Sequence, residues 1–167
     1  IHGHGLMEGG SFVWLNAETA VIGRSSRVNE EGARQVEEVL RAQGVSLLRV
    51  DLTGYRLHID AALVMIDVDT AIVNPTQLPF WFLETLAEMK IRTVEVHPDD
   101  HSGAVNCLAV APGRVLMQDG LSPRTAGRLD SLGIDIVPLA YDKVWLGGGG
   151  IHCSTAPLLR DLSLIHI

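Results

Sequence analysis

The sequence lacks both a set of cysteines and an excess of basic residues. Its two cysteines, Cys107 and Cys153, are too few for a disulfide-stapled secreted scaffold. Lys and Arg number 13 against 20 Asp and Glu, a formal net charge of -7 at pH 7. That balance disfavours binding to the phosphate backbone of a nucleic acid, so we expect no nucleic-acid partner.

Long apolar runs and targeting signals are also missing. No apolar run approaches the roughly 18–20 residues that span a bilayer, and no basic start leads into an apolar core with a cleavage site. We therefore expect a soluble, cytoplasmic protein with no membrane partner. What is present is a chain of 167 residues, 47% hydrophobic and 20% charged. This composition excludes disorder and predicts one compact unit with a real core.

The main organisational pattern is a loose internal repeat of strand, strand, helix and strand. The first unit is predicted to have strands at 12–15 and 19–22, a helix at 29–43 and a strand at 45–50. The second has strands at 62–66 and 70–73, a helix at 78–89 and a strand at 91–96. The third has strands at 106–111 and 114–117, a helix at 123–132 and a strand at 134–139. The helix-ending positions Gly44, Lys90 and Gly133 recur at nearly equal intervals, so we expect the units to pack around a shared centre.

Polar residues at the ends of these units are the candidate functional residues, because such loops converge near the centre. Four successive glycines precede Cys153 by a few residues and allow a ligand to approach closely. A flexible loop followed by a small buried thiol is the alternative for this segment.

Three further segments carry acidic, basic or histidine side chains. His58 and Asp60 are two residues apart, so in an extended segment both point to one face, where a histidine exchanges protons and a carboxylate orients it or binds a cation. Glu8 stands before a Gly-Gly pair at the mouth of a core strand, and Arg27 precedes a helix, where it can bind a substrate carboxylate. Taken alone, each is also explained as an ordinary surface group: a hydrogen-bonded pair, a solvated turn carboxylate and a salt bridge.

The order of these segments resembles the guanidino-group-modifying superfamily of the pentein fold, which includes dimethylarginine dimethylaminohydrolases, amidinotransferases and arginine deiminases. The resemblance covers roughly residues 5–161 and rests on Glu8-Gly9-Gly10, Arg27, Leu57-His58-Ile59-Asp60 and Gly148-Gly149-Gly150-Ile151-His152-Cys153. Penteins are rings of five ββαβ modules around a central site. The resemblance therefore implies an α/β fold, a partial pentein-type α/β propeller of about three ββαβ modules. Residues 1–161 would be the C-terminal part of a pentein catalytic domain, and 162–167 a tail of unclear origin.

The resemblance also implies a role for each candidate residue. Cys153 would be the nucleophile, His58 the general acid/base, and Glu8 a catalytic carboxylate that binds or orients cationic groups. Asp60 would support His58 or bind the guanidinium, and Arg27 would hold an amino-acid carboxylate. Gly149 and Gly150 would complete the substrate-binding residues. A thiolate would attack the guanidino carbon, and a covalent amidino-cysteine intermediate would form.

The leading functional prediction is a hydrolase of guanidino compounds such as arginine or methylated arginine, of the dimethylargininase type. The nearest alternative is an amidinotransferase, in which an amine instead of water resolves the intermediate. Gly-Gly-Gly-Ile-His-Cys looks closer to the transferase form and Glu-Gly-Gly closer to the hydrolases, while no Arg precedes the glycines as in arginine deiminases. A noncatalytic binding pentein is the alternative from another class, and the joint presence of Glu8, His58 and Cys153 disfavours it.

The remaining expectations concern ligands and completeness. No cofactor and no metal is expected, since His2 and His4 belong to no compact metal motif. The expected partner is a small guanidino substrate, with a homo-oligomer left open. Cys107, in an apolar run, predicts a buried structural thiol, and 99–101 a solvated loop. Because family members supply another guanidinium-binding carboxylate from upstream of Glu8, we expect an incomplete enzyme that turns over guanidino substrates poorly by itself.

Overall fold

A computed structural model describes residues 1–53 and 55–157 of the chain. The proposed tail at 162–167 and the end of the proposed domain at 1–161 lie outside the described residues. Within the described part, the chain forms three successive modules, each made of two strands, a helix and a third strand. The predicted α/β architecture of three ββαβ units is confirmed.

The elements have the following bounds. The first module contains β1 (Phe12–Asn16), β2 (Thr19–Arg24), α1 (Glu30–Arg41) and β3 (Ser46–Asp51). The second contains β4 (Leu63–Asp67), β5 (Thr70–Val73), α2 (Phe80–Glu88) and β6 (Arg92–Glu95). The third contains β7 (Leu108–Ala111), β8 (Arg114–Gln118), α3 (Pro123–Ser131) and β9 (Asp135–Leu139), and α4 (Asp142–Trp145) follows it. Among these helices, none is both long and apolar enough to cross a membrane.

Each module has its own three-stranded sheet with the same topology. The strand orders are β1-β2-β3, β4-β5-β6 and β7-β8-β9. The first two strands pair antiparallel across a tight turn, and the helix then returns the chain so that the third strand runs parallel to the second. The register shifts near the turn of every hairpin, for example between Trp14 and Asn16. The internal repeat is therefore a repeat of backbone geometry as well as of element order.

Each long helix begins after a residue that caps its first turn or, in α2, after a proline. Asn29 caps α1, because its Oδ1 accepts from the Gly32 N–H at 2.8 Å. Ser122 caps α3 in the same way, with its Oγ 3.2 Å from the Thr125 nitrogen. The residue before α2 is Pro79, whose extended backbone leads into the first turn.

All three long helices end in the same left-handed turn. The residues after them, Gly44, Lys90 and Gly133, have φ values of 78°, 61° and 74°. In each case the next residue's N–H donates back to the carbonyl five positions earlier, as from Ile91 to Leu86 at 2.9 Å. Two of the three positions are glycine, which adopts this conformation without steric cost.

One hydrophobic core passes through all three modules. Strand β4 contacts both β1 and β7, so the second module lies between the other two. The largest fully buried side chains come from every module, among them Leu15, Met65, Ile72, Phe82, Met117 and Leu129. A single module would leave these apolar faces in water, and their common burial holds the three sheets together.

One element was missed from the sequence, whereas the solvated loop expected at 99–101 is present, with Asp99 and His101 exposed. The short helix α4 was not predicted, because its four residues carry no apolar period. The segment 99–101 is anchored at Asp100, whose carboxylate accepts from the His97 N–H at 2.7 Å, the Ser122 N–H at 2.6 Å and the Thr125 hydroxyl. Burial opposes the ionised form of Asp100, but these hydrogen bonds hold its pKa below the usual value.

Candidate active site

The candidate residues lie in segments that lead into or follow the modules. Glu8 precedes β1, His58 and Asp60 precede β4, and Cys153 occupies a short 3-10 turn (His152–Ser154) after α4. Strand β1 contacts β4 and the turn Ile59–Ala61 that precedes it. Residues far apart in sequence therefore meet at the end of these two strands.

The Cys153 thiol contacts two polar side chains. Its Sγ lies 3.2 Å from Nδ2 of Asn106 and 3.4 Å from Oδ2 of Asp60. Burial, followed by the negative charge of Asp60, raises the pKa of Cys153, while hydrogen bonds from the Gly150 backbone and the Asn106 side chain act in the opposite direction. The group is therefore a neutral thiol at pH 7, with Asp60 as an acceptor for its proton.

The Asp60 carboxylate is completely buried. Its Oδ2 lies 3.0 Å from Nδ1 of His152, in addition to its contact with the Cys153 sulfur. Its Oδ1 is buried and has no hydrogen-bond partner among the described residues. Because a buried carboxylate oxygen without a partner is costly, Asp60 is suited to a donor that enters from outside the protein.

His58 forms a pair with Glu8. The distance from His58 Nε2 to Glu8 Oε2 is 2.5 Å, and Arg27 NH1 lies 3.5 Å from the other oxygen of Glu8. About half of the Arg27 side chain and 44% of the Glu8 side chain are exposed, whereas 27% of His58 is. A carboxylate in this position orients the imidazole ring.

Gly10 lies between His58, which pairs with Glu8, and Asp60, which contacts Cys153. A Cβ at this position would lie 3.0 Å from Cγ and Nδ1 of His58 and 3.2 Å from Oδ2 of Asp60. The imidazole and the carboxylate therefore flank one backbone position, and a larger residue would have to displace one of them.

A cavity of about 660 Å³ opens beside Cys153 and Asp60. Its polar wall includes these two residues and His152, and its apolar wall comes from β1 and β4: Phe12, Val13, Trp14, Val64 and Met65. The volume suits a small molecule with one charged end and an aliphatic chain. A second cavity of about 640 Å³, along α1, contains none of the candidate residues.

The structure thus brings Cys153 and Asp60 into one cavity and places His58 and Glu8 beside them across Gly10. Arg27 is linked to this group of residues by its ion pair with Glu8. The Asp60 carboxylate accepts from the Cys153 thiol and contacts His152, and among the described residues it has no hydrogen bond with His58. Of the two roles expected for Asp60, this geometry favours binding of the guanidinium over support of His58. Neither Gly149 nor Gly150 lines the cavity. The functional roles of all these residues stay predictions.

Two residues of the site were missed by sequence reasoning. His152 is part of the Gly-Gly-Gly-Ile-His-Cys segment, but only Gly149, Gly150 and Cys153 of that segment were selected. Asn106 lies two residues before β7, the first strand of its module. Gly10 lies two residues before β1 and Asp60 three residues before β4, so the three residues occupy nearly equivalent positions. An alignment of the three modules on their first strands would have indicated Asn106.

The second cysteine and the possible metal ligands lie outside this site. Cys107 is 1% exposed, and its burial raises its pKa to about 12, so the prediction of a buried thiol is confirmed. Among the described residues, no group of three or more His, Cys, Asp or Glu side chains is arranged to hold a metal ion.

Comparison with solved structures gives three informative likenesses, whereas no family model matches the sequence. A cysteine-to-serine variant of DDAH from Pseudomonas aeruginosa, in complex with citrulline, is 27% identical over 92% of this chain and 56% of that one, with a TM-score of 0.76. SxtG, an amidinotransferase from Microseira wollei, is 16% identical over 90% of this chain and 47% of its own, with a TM-score of 0.73. The N-terminal domain of ArgZ, a cyanobacterial arginine dihydrolase, is 16% identical over 96% of this chain and 60% of its own, with a TM-score of 0.78.

These likenesses confirm the resemblance to the guanidino-group-modifying pentein superfamily. The fold is a partial pentein fold of three modules, each with its own three-stranded sheet. The chain spans about half the length of the DDAH and SxtG chains that it matches. The two structures at 16% identity bear on the fold alone.

Proposed function

We propose that this chain carries the nucleophile and part of the substrate site of a hydrolase that acts on guanidino compounds such as arginine or methylated arginine. One observation supports this above all: the buried Asp60, with Oδ1 unpartnered among the described residues, shares a cavity with Cys153. A guanidinium offers a positive charge and a planar set of N–H donors, which is what a buried carboxylate beside a nucleophile needs. The citrulline bound to DDAH, which is 27% identical to this chain, lends support.

The proposed reaction begins when the ionised Cys153 sulfur attacks the guanidino carbon. His58, hydrogen-bonded to Glu8, gives a proton to the departing nitrogen, the carbon–nitrogen bond breaks, and a thioether to the sulfur remains. Water then attacks the same carbon and gives a proton to His58. The carbon–sulfur bond breaks, which returns the thiolate and releases a ureido product.

Substrate binding itself would favour ionisation of the nucleophile. Burial and the Asp60 charge favour the protonated thiol. A guanidinium bound to Asp60 would offset that charge and stabilise the adjacent thiolate, so the pKa of Cys153 would fall only when a cationic substrate is present. Reaction with other electrophiles would then be limited in its absence.

An amidinotransferase remains the second candidate. It would use the same cysteine, but an amine would take the carbon from the sulfur. The likeness of the Gly-Gly-Gly-Ile-His-Cys segment to the transferase form favours it, while Glu8-Gly9-Gly10 looks closer to the hydrolases. Release of citrulline from arginine or methylated arginine without any added amine would support the hydrolase, whereas release of ornithine only with an amine acceptor would support the transferase.

The test of the proposal is Cys153→Ser in a protein that contains residues 1–161 as part of its catalytic domain. We expect citrulline formation to be lost and the thermal unfolding temperature to be unchanged, because the thiol is replaced by a group of nearly the same size. Cys107→Ser is the control and should lower stability while leaving chemistry intact, since that thiol is buried in the core. Equal turnover by Cys153→Ser and the parent would reject covalent thiol catalysis.

A noncatalytic binding protein makes a different prediction. It would bind arginine or methylarginine without forming a covalent product. Mass spectrometry of the protein after brief incubation with substrate and acid quenching distinguishes the two, because the proposed hydrolase gains mass on the peptide that contains Cys153. Binding with no adduct and no product would favour the noncatalytic alternative.

A further inference from the structure

Asn106 makes the most extensive polar contact with the segment that carries Cys153. Its side chain is buried, with the residue 3% exposed. Its Nδ2 donates to Cys153 Sγ at 3.2 Å, and its Oδ1 accepts from the Cys153 N–H at 3.2 Å. Its backbone carbonyl accepts from the His152 N–H at 3.3 Å. None of the chemical steps above assigns this residue a role.

The direction of the Asn106 amide is set by its neighbours. A backbone N–H only donates, so the oxygen of the amide must face the nitrogen of Cys153. The Asp60 backbone carbonyl only accepts, and it lies 3.3 Å from Nδ2. The NH₂ group therefore faces Asp60 and the Cys153 sulfur together. A donor at this place forms a stronger hydrogen bond with a thiolate than with a thiol.

The segment around Cys153 is shaped to fit this side chain. A Cβ at position 150 would overlap the Asn106 side chain, with its Cβ and Cγ only 2.7 Å away. Gly150 is buried there and does not line the cavity. The glycine thus permits the chain to pass close to Asn106, which is a different role from the predicted contact with substrate.

We propose that Asn106 is the positioning residue for Cys153: its amide holds the backbone and the sulfur in one orientation and donates a hydrogen bond to the ionised sulfur. The inference rests on the proposed function of Cys153 as the nucleophile. Asn106 acts through the sulfur and needs no contact with substrate.

Other charged and titratable groups around the sulfur act alongside Asn106. Asp60 contacts the sulfur directly and disfavours its ionisation. His152 contacts Asp60 at 3.0 Å, and the pair of His58 and Glu8 lies across Gly10. The Asn106 donor is a neutral side chain that stabilises the thiolate without waiting for a substrate, and it acts together with a hydrogen bond from the Gly150 backbone.

The experiment compares Asn106→Asp with Asn74→Asp. Aspartate at position 106 keeps the size and can still accept from the Cys153 N–H, but it removes the donor and adds a second negative charge near Asp60. Asn74 is a matched control, because its side chain accepts from Thr76 N and Thr76 Oγ1 through Oδ1 alone, contacts that aspartate preserves. The readout is the pH dependence of Cys153 alkylation by iodoacetamide, followed by mass spectrometry of the peptide that contains it.

We expect Asn106→Asp to move the alkylation midpoint to higher pH, so that the rate at pH 7.5 falls about tenfold or more, with no shift for Asn74→Asp. In the active protein kcat should fall, with its pH profile displaced in the same direction. If Asn106→Asp does not fold by circular dichroism, the same measurement is made on Asn106→Ser, with the same expected direction.

An unchanged midpoint in the folded variant would overturn the inference. Since alkylation needs no substrate, this outcome is separate from the fate of the proposed function. A shifted midpoint in the variant, together with no turnover by the parent protein, would keep the role of Asn106 and reject the hydrolase. Normal turnover by the parent with an unshifted midpoint in the variant would keep the hydrolase and reject the role of Asn106.

Discussion

The negative charge of Asp60 has opposite effects on the two groups that must react, the cationic ligand and the Cys153 thiol. The charge attracts a cationic ligand and, at the same time, raises the pKa of the Cys153 thiol that the ligand must meet. Removal of the charge should therefore separate the two effects, since one depends on substrate and the other does not.

We predict that Asp60→Asn lowers kcat/KM for arginine or methylarginine by about 10- to 100-fold, the range for a lost charged hydrogen bond. The pKa of Cys153 should fall in the same variant, because its nearest negative charge is gone, so alkylation at pH 7.5 should become faster. Kinetic assays and iodoacetamide labelling measure the two quantities. Asp119→Asn, at an exposed position, is the control and should change neither. Slower alkylation of Asp60→Asn would contradict this account of the thiol.

Sequence reasoning found the charged members of the site because their motifs are local. Asp60 and Cys153 were both selected, although 93 positions separate them. The contact of Asp60 with His152 was not found, because an extended segment was assumed around His58 and the chain instead turns at Ile59–Ala61. That turn directs Asp60 to His152. Asn106 was missed because a single asparagine in an apolar run carries no chemical motif.

At the scale of secondary structure, the three helices share one way of ending but not one residue type. Gly44 and Gly133 occupy the left-handed position without cost, whereas Lys90 occupies it with a Cβ that crowds the adjacent carbonyl. Lys90 is exposed and has no hydrogen bond or ion pair from its side chain among the described residues. Its side chain therefore contributes little to offset the backbone strain.

We predict that Lys90→Gly stabilises the protein by about 0.5–1 kcal/mol, the left-handed penalty less the larger entropy of glycine in the unfolded chain. Urea unfolding measures the change. Gly133→Ala is the reciprocal test and should cost about 1 kcal/mol, because a Cβ there meets open space and only the backbone conformation changes. Destabilisation by Lys90→Gly would show that its strain is offset by contacts.

The strands and long helices were predictable because they have strong local patterns: alternating or continuous apolar residues, a cap such as Ser122 and, for two of the three helices, a glycine after the end. The helix α4 was not, since four residues carry no period and its formation depends on packing. Trp145 in this helix packs edge-on against His101, with ring centroids 4.7 Å apart, and its ring lies against Gly103. Such a contact between distant segments leaves no trace in local sequence.

For the whole molecule, the shared core implies that the three modules unfold together. Each module, or the helix just after it, contains one tryptophan: Trp14 in β1, Trp81 in α2 and Trp145 in α4. Three variants that keep a single tryptophan, with the others changed to Phe, would report on each region separately. The middle module contacts both others, so a cavity in its first strand should affect all three reporters.

We predict that Leu63→Ala, at a fully buried position of β4, lowers the free energy of unfolding by about 2–5 kcal/mol. The loss should be equal in all three single-tryptophan backgrounds when urea unfolding is followed by fluorescence. A loss confined to the Trp81 background would show that the modules unfold independently.

The segments that precede the first strand of each module have a consequence for redesign. The segments just before β1, β4 and β7 read Gly-Gly-Ser, Ile-Asp-Ala and Val-Asn-Cys, while the hairpins, crossovers and helix endings behind them keep one geometry. In each stretch only the middle residue, Gly10, Asp60 or Asn106, contacts the groups of the site. The flanking residues Ile59, Val105 and Cys107 belong to the hydrophobic core. A combinatorial library limited to these three middle positions would vary the chemical specificity of the pocket and leave untouched the parts that make the polypeptide fold.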